Sequence, residues 1–303
     1  MSTPLPPDAI MRQIAEAITE QIRTDIIVVG SLAAGYYFFG SAPEEAVMTK
    51  DVDCLLSPNV RAVENSKAVA DHLLSAGWKL RNYPGFDGPG NAQTPTPDLP
   101  FFRLTPPDTS DWFLELNASP ASGQVTNKQI ERVTTAHGDF AIFSFRFLAL
   151  AEENPIKTPC GIAIARPEMM ALANLLHHPS IGHETIQDTH DKRSNKDLGR
   201  VLALAWLAIA RDGNAMQAWS AAWLDALKKY FPHEWKILAA RAGDGIRALL
   251  ASPPDLEQAT RICNDGLLAR RKATKENLTA TGRRLLAEAV RPIEDAARES
   301  ENK

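Results

Sequence analysis

Apolar residues follow two different rhythms along this chain, changing near Pro167. Before it they come in short runs and alternations. Ile26-Ile27-Val28-Val29 and Cys54-Leu55-Leu56 are continuous, while Trp112, Leu114 and Leu116 alternate with Phe113 and Glu115. Both patterns are strand signals. After Pro167, which stands at the favoured first position of a helix, the apolar residues recur at steps of three and four.

The pattern predicts an ordered set of elements. A helix over Asp8 to Ile22, with Ile10, Met11, Ile14, Ile18 and Ile22 on its stripe, precedes a strand over Asp25–Val29. Ser57-Pro58-Asn59 opens a second helix that Gly77 stops, followed by a strand over Trp78–Tyr83. The stretch Pro84–Pro100 is punctuated by proline and glycine and reads as a long loop. Phe101–Thr105 and Trp112–Ala118 form a hairpin across Pro106-Pro107-Asp108, and Arg132–Thr135 pairs with Phe140–Phe147 around His137-Gly138-Asp139. Ile156–Ala165 is the last extended segment. Beyond it Trp206, Trp219, Trp223 and Trp235 belong to the core of a helical bundle. The expectation is an α+β chain: a flexible proline-rich arm over residues 1–7, a mixed sheet with helices over 8–165, and an all-α domain over 166–303.

Composition narrows the class. With 303 residues, 44% hydrophobic and 23% charged, the chain has the makeup of an ordinary globular protein. The longest apolar run, Val201 to Ala210, is about half of what a bilayer requires, and the first residues lack a secretory signal. A cytoplasmic protein is expected. Three widely spaced cysteines, Cys54, Cys160 and Cys263, predict neither a disulfide framework nor a zinc site. The net charge of −4 is uneven: residues 1–159 hold 12 Lys/Arg against 19 Asp/Glu, and residues 160–303 hold 21 against 18. Arg270, Arg271, Lys272, Lys275, Arg283 and Arg284 concentrate basic charge, although no aromatic lies among them and a solvated helix face is the simpler reading.

Chemistry concentrates in two places. Gly30-Ser31 ends the first apolar run; the glycine lets backbone approach a ligand, the serine adds a hydroxyl, and a helix starting there turns its positive end toward phosphate. Twenty residues on, Thr49-Lys50-Asp51-Val52-Asp53 leads into the second run. Asp51 and Asp53 are two apart in a strand, so both face one side and offer hard oxygen ligands to a divalent cation such as magnesium. Taken singly, a Gly-Ser is usually a strand-to-helix turn and an Asp-x-Asp a solvated one. Their order on neighbouring strands describes a metal–nucleotide site.

Val-Val-Gly-Ser-Leu-Ala-Ala over 28–34, then Thr-Lys-Asp-Val-Asp-Cys-Leu-Leu over 49–56, resembles the signature of the DNA polymerase β-like nucleotidyltransferases. The resemblance implies a nucleotidyltransferase-fold core with a small mixed sheet, two Mg2+ ions (or Mn2+), an NTP such as ATP, and a third carboxylate from a later strand. Glu115 is the candidate for that carboxylate and Asp111 the alternative. The segments 158–176 and 192–200 also resemble bacterial stand-alone nucleotidyltransferases of abortive-infection and toxin–antitoxin systems and a related uncharacterised group. That likeness implies RNA or tRNA as acceptor and an inhibitory protein partner, whereas the acidic first half is consistent with a small-molecule or protein acceptor. Arg193, Lys196 and Arg200 then form a cationic stripe for phosphate, with Asp197 orienting Lys196; otherwise the stripe is a surface helix face. A degenerate nucleotidyltransferase fold that only binds a nucleotide or a partner is the competing expectation. His177, His178, His183 and His190 are read as exposed loop histidines rather than zinc ligands.

Overall fold

A computed structural model describes residues 3–40, 46–57, 59–81, 88–109, 111–120, 128–181, 184–186 and 190–299. The chain divides into two compact units, Met1–Arg166 and Pro167–Lys303. Together they make an α+β chain with a mixed sheet and many helices. Among the described residues no helix is long and apolar enough to cross a membrane.

In the first unit the order is β1 (Thr3–Leu5), α1 (Pro7–Glu16), α2 (Glu20–Arg23), β2 (Ile26–Val29), α3 (Gly30–Phe39), β3 (Val47–Thr49), β4 (Asp51–Leu56), α4 (Asn59–Ser75), β5 (Lys79–Leu80), β6 (Arg103–Thr105), β7 (Phe113–Ala118), β8 (Lys128–Thr135), β9 (Gly138–Phe145), β10 (Ile156–Lys157) and β11 (Ala163–Ile164). The main sheet runs β10-β11-β2-β4-β7-β6-β5, with β9 beside β7 and β8 on β9. β2 is antiparallel to β4, β4 is parallel to β7, and β6 is antiparallel to β7. β2 is buried along its whole length, as its unbroken apolar run demands. Along β4 and β7 the alternating residues Val52, Cys54, Leu114 and Leu116 are buried on one face, whereas Asp51, Asp53, Phe113 and Glu115 on the other are only partly buried.

The second unit packs α5 (Pro167–Ile181), α6 (Arg193–Arg211), α7 (Ala215–Tyr230), α8 (Trp235–Arg241), α9 (Asp244–Ala251), α10 (Pro253–Asp265), α11 (Lys275–Leu285) and α12 (Arg291–Glu299). Trp223 is fully buried and donates its indole N–H to the Glu168 carbonyl at 2.8 Å, which satisfies the one polar atom it brings into the core. Trp219 is buried against it, but Trp206 and Trp235 are only half-buried. A reciprocal pair of bonds between Thr274 and Asn277 caps α11.

Several expectations change on tertiary contact. Thr3–Leu5 is a strand paired with Val47–Thr49, so the proline-rich start is not an arm. The expected first helix breaks at Thr19, whose extended backbone separates α1 from α2. Ile156–Ala165 is a hairpin of β10 and β11 rather than one extended segment. Positions 82–87 of the expected strand and loop, and His183, lie outside the described residues.

Candidate functional site

The site is a row of residues crossing the exposed part of the sheet. β2 delivers Val29 in extended conformation, and Gly30 follows at φ +74°, a left-handed backbone that L side chains rarely adopt, to open α3. A Cβ added at Gly30 would lie 3.1 Å from Asp53 Oδ2, so backbone and carboxylate approach closely and a side chain here would push the carboxylate back by a few tenths of an ångström. Strand register continues the row: Val29 is the partner of Asp53, Asp53 of Glu115, and Glu115 of Arg103. Arg81 follows, its N–H donating to the Arg103 carbonyl at 3.0 Å.

Each acid has a defined neighbour. The Thr49 hydroxyl donates to Asp51 Oδ1 at 2.7 Å from a largely buried position just before β4. Arg103 Nε donates to Glu115 Oε2 at 2.5 Å, with both side chains less than one-fifth exposed. This charge-assisted bond offsets the cost of placing a third carboxylate beside two others. Asn117, two residues past Glu115 and on the same face, is buried, and its Oδ1 has no hydrogen-bond partner among the described residues. Cys54 faces the other way; burial first, then the charge of Asp53, pushes its thiol far up, which removes it as a nucleophile.

Three carboxylates with a backbone approach at Gly30 are the donor chemistry of a hard divalent cation. In this arrangement Thr49 holds Asp51 and Arg103 holds Glu115, and among the described residues no three His, Cys, Asp or Glu side chains are gathered for a metal. The register pairs Glu115 with Asp53; Asp111 sits in an exposed bend before β7. Gly30, Ser31, Asp51, Asp53 and Glu115 thus belong to neighbouring elements of the first unit. Arg193, Lys196 and Arg200 belong to α6 of the second.

On α6, Asp197 is buried, and its Oδ2 lies 3.1 Å from His177 Nδ1 on α5. This contact joins α5 to α6. His177 and His178 are part of α5 and half-buried, not a loop. Arg193 faces Glu184 at 3.4 Å.

Sequence reading overlooked Arg103 and Arg81. The available signal was the hairpin itself: with Phe101–Thr105 antiparallel to Trp112–Ala118, some residue of the first strand had to lie against Glu115. Compared with known proteins, the chain matches no family model, no curated protein and no solved structure.

Proposed function

We propose that this protein is a metal-dependent nucleotidyltransferase that moves a nucleoside monophosphate from an NTP to an acceptor hydroxyl and releases pyrophosphate. The observation that supports it is the shared register row of Asp53 and Glu115 on parallel neighbouring strands, with Asp51 on the same face and Gly30 backbone against Asp53. Asp51, Asp53 and Glu115 would hold the divalent ions. When bound, the ions supply charge neutralisation for the triphosphate and acidify the attacking hydroxyl.

The chain's own residues account for the rest. The N–H groups that open α3 at Gly30 and Ser31 bind the β- and γ-phosphates, where the positive end of the helix opposes their charge. The acceptor oxygen forms a bond to the α-phosphorus as the bond to the bridging oxygen breaks, and the electron pair leaves with pyrophosphate. Glu115 takes the hydroxyl proton. For that, Arg103 must release Glu115, so substrate binding exchanges one ion pair for another. The test is transfer of label from each α-labelled NTP, with magnesium, into total tRNA, protein or the enzyme itself. Label that enters one fraction and vanishes in Asp51→Asn/Asp53→Asn identifies the acceptor; binding of the Mg–NTP without transfer would reject catalysis.

The 2.5 Å Arg103–Glu115 pair also favours a second reading. If it persists with nucleotide bound, the third acid is unusable and the chain is a nucleotide-binding module. Glu115→Gln would then leave nucleotide affinity unchanged.

A further inference from the structure

The sheet beyond Glu115 carries a ladder of alternating cations and aromatic rings. Arg81 Cζ lies 4.3 Å from the Phe113 ring centroid, and Arg103 Cζ lies 5.2 Å from Phe113 and 5.4 Å from Phe101. Lys128 Nζ lies 5.7 Å from Phe101 and 3.6 Å from Phe143, and the Phe101 and Phe143 rings are 4.1 Å apart. Lys128 is exposed, Arg81, Arg103, Phe101 and Phe113 are half-buried, and Phe143 is buried, so it supports Phe101 and Lys128 from within the sheet. Burial, and then the charge of Arg103, holds the Arg81 guanidinium below its usual pKa. Glu115 already meets the Arg103 charge at 2.5 Å, so Arg81, which shares the Phe113 ring, and the exposed Lys128 are the charges the ladder presents to phosphate.

We propose that the face formed by Arg81, Phe113, Arg103, Phe101 and Lys128 binds the single-stranded end of a nucleic-acid acceptor. Cations that track phosphates, interleaved with rings and guanidinium planes on which bases stack, are the two components of single-strand recognition. A protein acceptor would not require them in alternation. The ladder's place as an acceptor site rests on the nucleotidyl-transfer reading. In-line displacement puts the leaving pyrophosphate and the attacking oxygen on opposite sides of the α-phosphorus. Gly30 and Ser31 lie at the β2 end of the row, so the acceptor enters from the β7–β6–β5 end, where the ladder stands. At about 4.8 Å per strand, Arg81 is roughly 14 Å from Asp53 along that row. Before substrate binds, the Arg103–Glu115 bond joins the ladder to the third acid, and its release leaves Arg103 to the acceptor.

The test is fluorescence anisotropy with a labelled single-stranded oligoribonucleotide of about a dozen residues, titrated at several salt concentrations with the full chain and no NTP. Wild type is expected to bind with an affinity that falls as salt rises. Arg81→Ala/Lys128→Ala should weaken binding at least tenfold at low salt and flatten the log–log salt slope by about 1.4, roughly 0.7 for each lost phosphate contact. Phe101→Leu should weaken binding about fivefold or more through lost stacking, with the slope unchanged. Arg81→Lys keeps the charge and loses the plane, so it should lower affinity and keep the slope. A wild type that does not bind, or charge variants with unchanged affinity and slope, would overturn the proposal. Label transfer into protein by a chain that ignores the oligonucleotide would overturn it while leaving nucleotidyl transfer standing. Ladder-dependent binding without label transfer would support the surface and reject the transfer.

Discussion

Replacing Gly30 by alanine tests whether backbone geometry at the end of β2 sets the position of Asp53. Two costs arise. The residue sits at φ +74°, where an L side chain costs about 1–2 kcal/mol. The new Cβ would also stand 3.1 Å from Asp53 Oδ2, so the carboxylate must retreat by a few tenths of an ångström. At about 2–4 °C per kcal/mol for a unit of this size, the backbone cost lowers Tm by roughly 2–8 °C. Misplacing a reacting group by about 1 Å costs on the order of a hundredfold in rate, so a shift of a few tenths should cost roughly tenfold or less. Gly40→Ala is the control: its φ is +63° but among the described residues nothing lies within 4 Å of a Cβ there, so it carries the backbone cost without the contact. Thermal unfolding and initial rates of label transfer would be measured for both variants. The expectation is a similar fall in Tm for both and a fall in rate for Gly30→Ala only. A Gly30→Ala protein that loses stability yet transfers label at the wild-type rate would refute the argument that Asp53 placement matters; an equal rate loss in Gly40→Ala would refute the contact.

Other consequences can be measured without knowing the substrate. Glu294 on α12 is almost fully buried and takes two bonds from Arg247, at 2.6 and 2.5 Å. Arg247→Met should therefore cost about 1–3 kcal/mol in urea unfolding, reduced from a fully buried pair because Arg247 is 45% exposed. Arg247→Met/Glu294→Met should recover at least half of that; a double variant as unstable as the sum of its singles would contradict it. His178 packs with Nε2 buried, without a hydrogen-bond partner among the described residues and against Gly245, and burial lowers its pKa from 6.5 despite Asp197 and Asp244, with His177 and Arg241 acting in the same direction as burial. A base with a lowered folded pKa favours unfolding when protonated, so stability is full above pH 6.5 and falls as pH drops from there toward the folded pKa, by at most about 1.4 kcal/mol per pH unit. His178→Asn should remove that part of the slope in Tm measured between pH 7.5 and 5.5; an unchanged slope assigns it elsewhere. Thiol alkylation followed by peptide mass spectrometry should modify Cys160 first, because burial pushes Cys263 up to about 12 and Cys54 beyond it. Equal labelling of all three in the folded chain would contradict the buried placement.

What could be read in advance was local. The run Ile26–Val29 and the alternation Trp112–Leu116 identify strands because a residue's face is set by its immediate neighbours, and Asp51 and Asp53 share a face for the same reason. The helical stripe after Pro167 was legible too, although the half-buried Trp206 and Trp235 show that apolar identity alone does not assign depth. Errors came where distant segments compete for the same residues: the prolines before Asp8 suggested an arm, yet Leu5 is buried and Thr3–Leu5 takes a partner more than forty residues away.

By itself the sequence determined the two rhythms, the Gly30-Ser31 turn and the Asp51/Asp53 pair, since each depends on residues within a few positions of one another. The tertiary structure alone decided that Glu115 rather than Asp111 stands beside Asp53, that Arg103 holds it, and that Asp197 meets His177. Those choices depend on register and helix packing. A one-residue slip in β7 would send Glu115 to the opposite face, and what prevents it is the burial of Leu114 and Leu116 against elements far away in the chain.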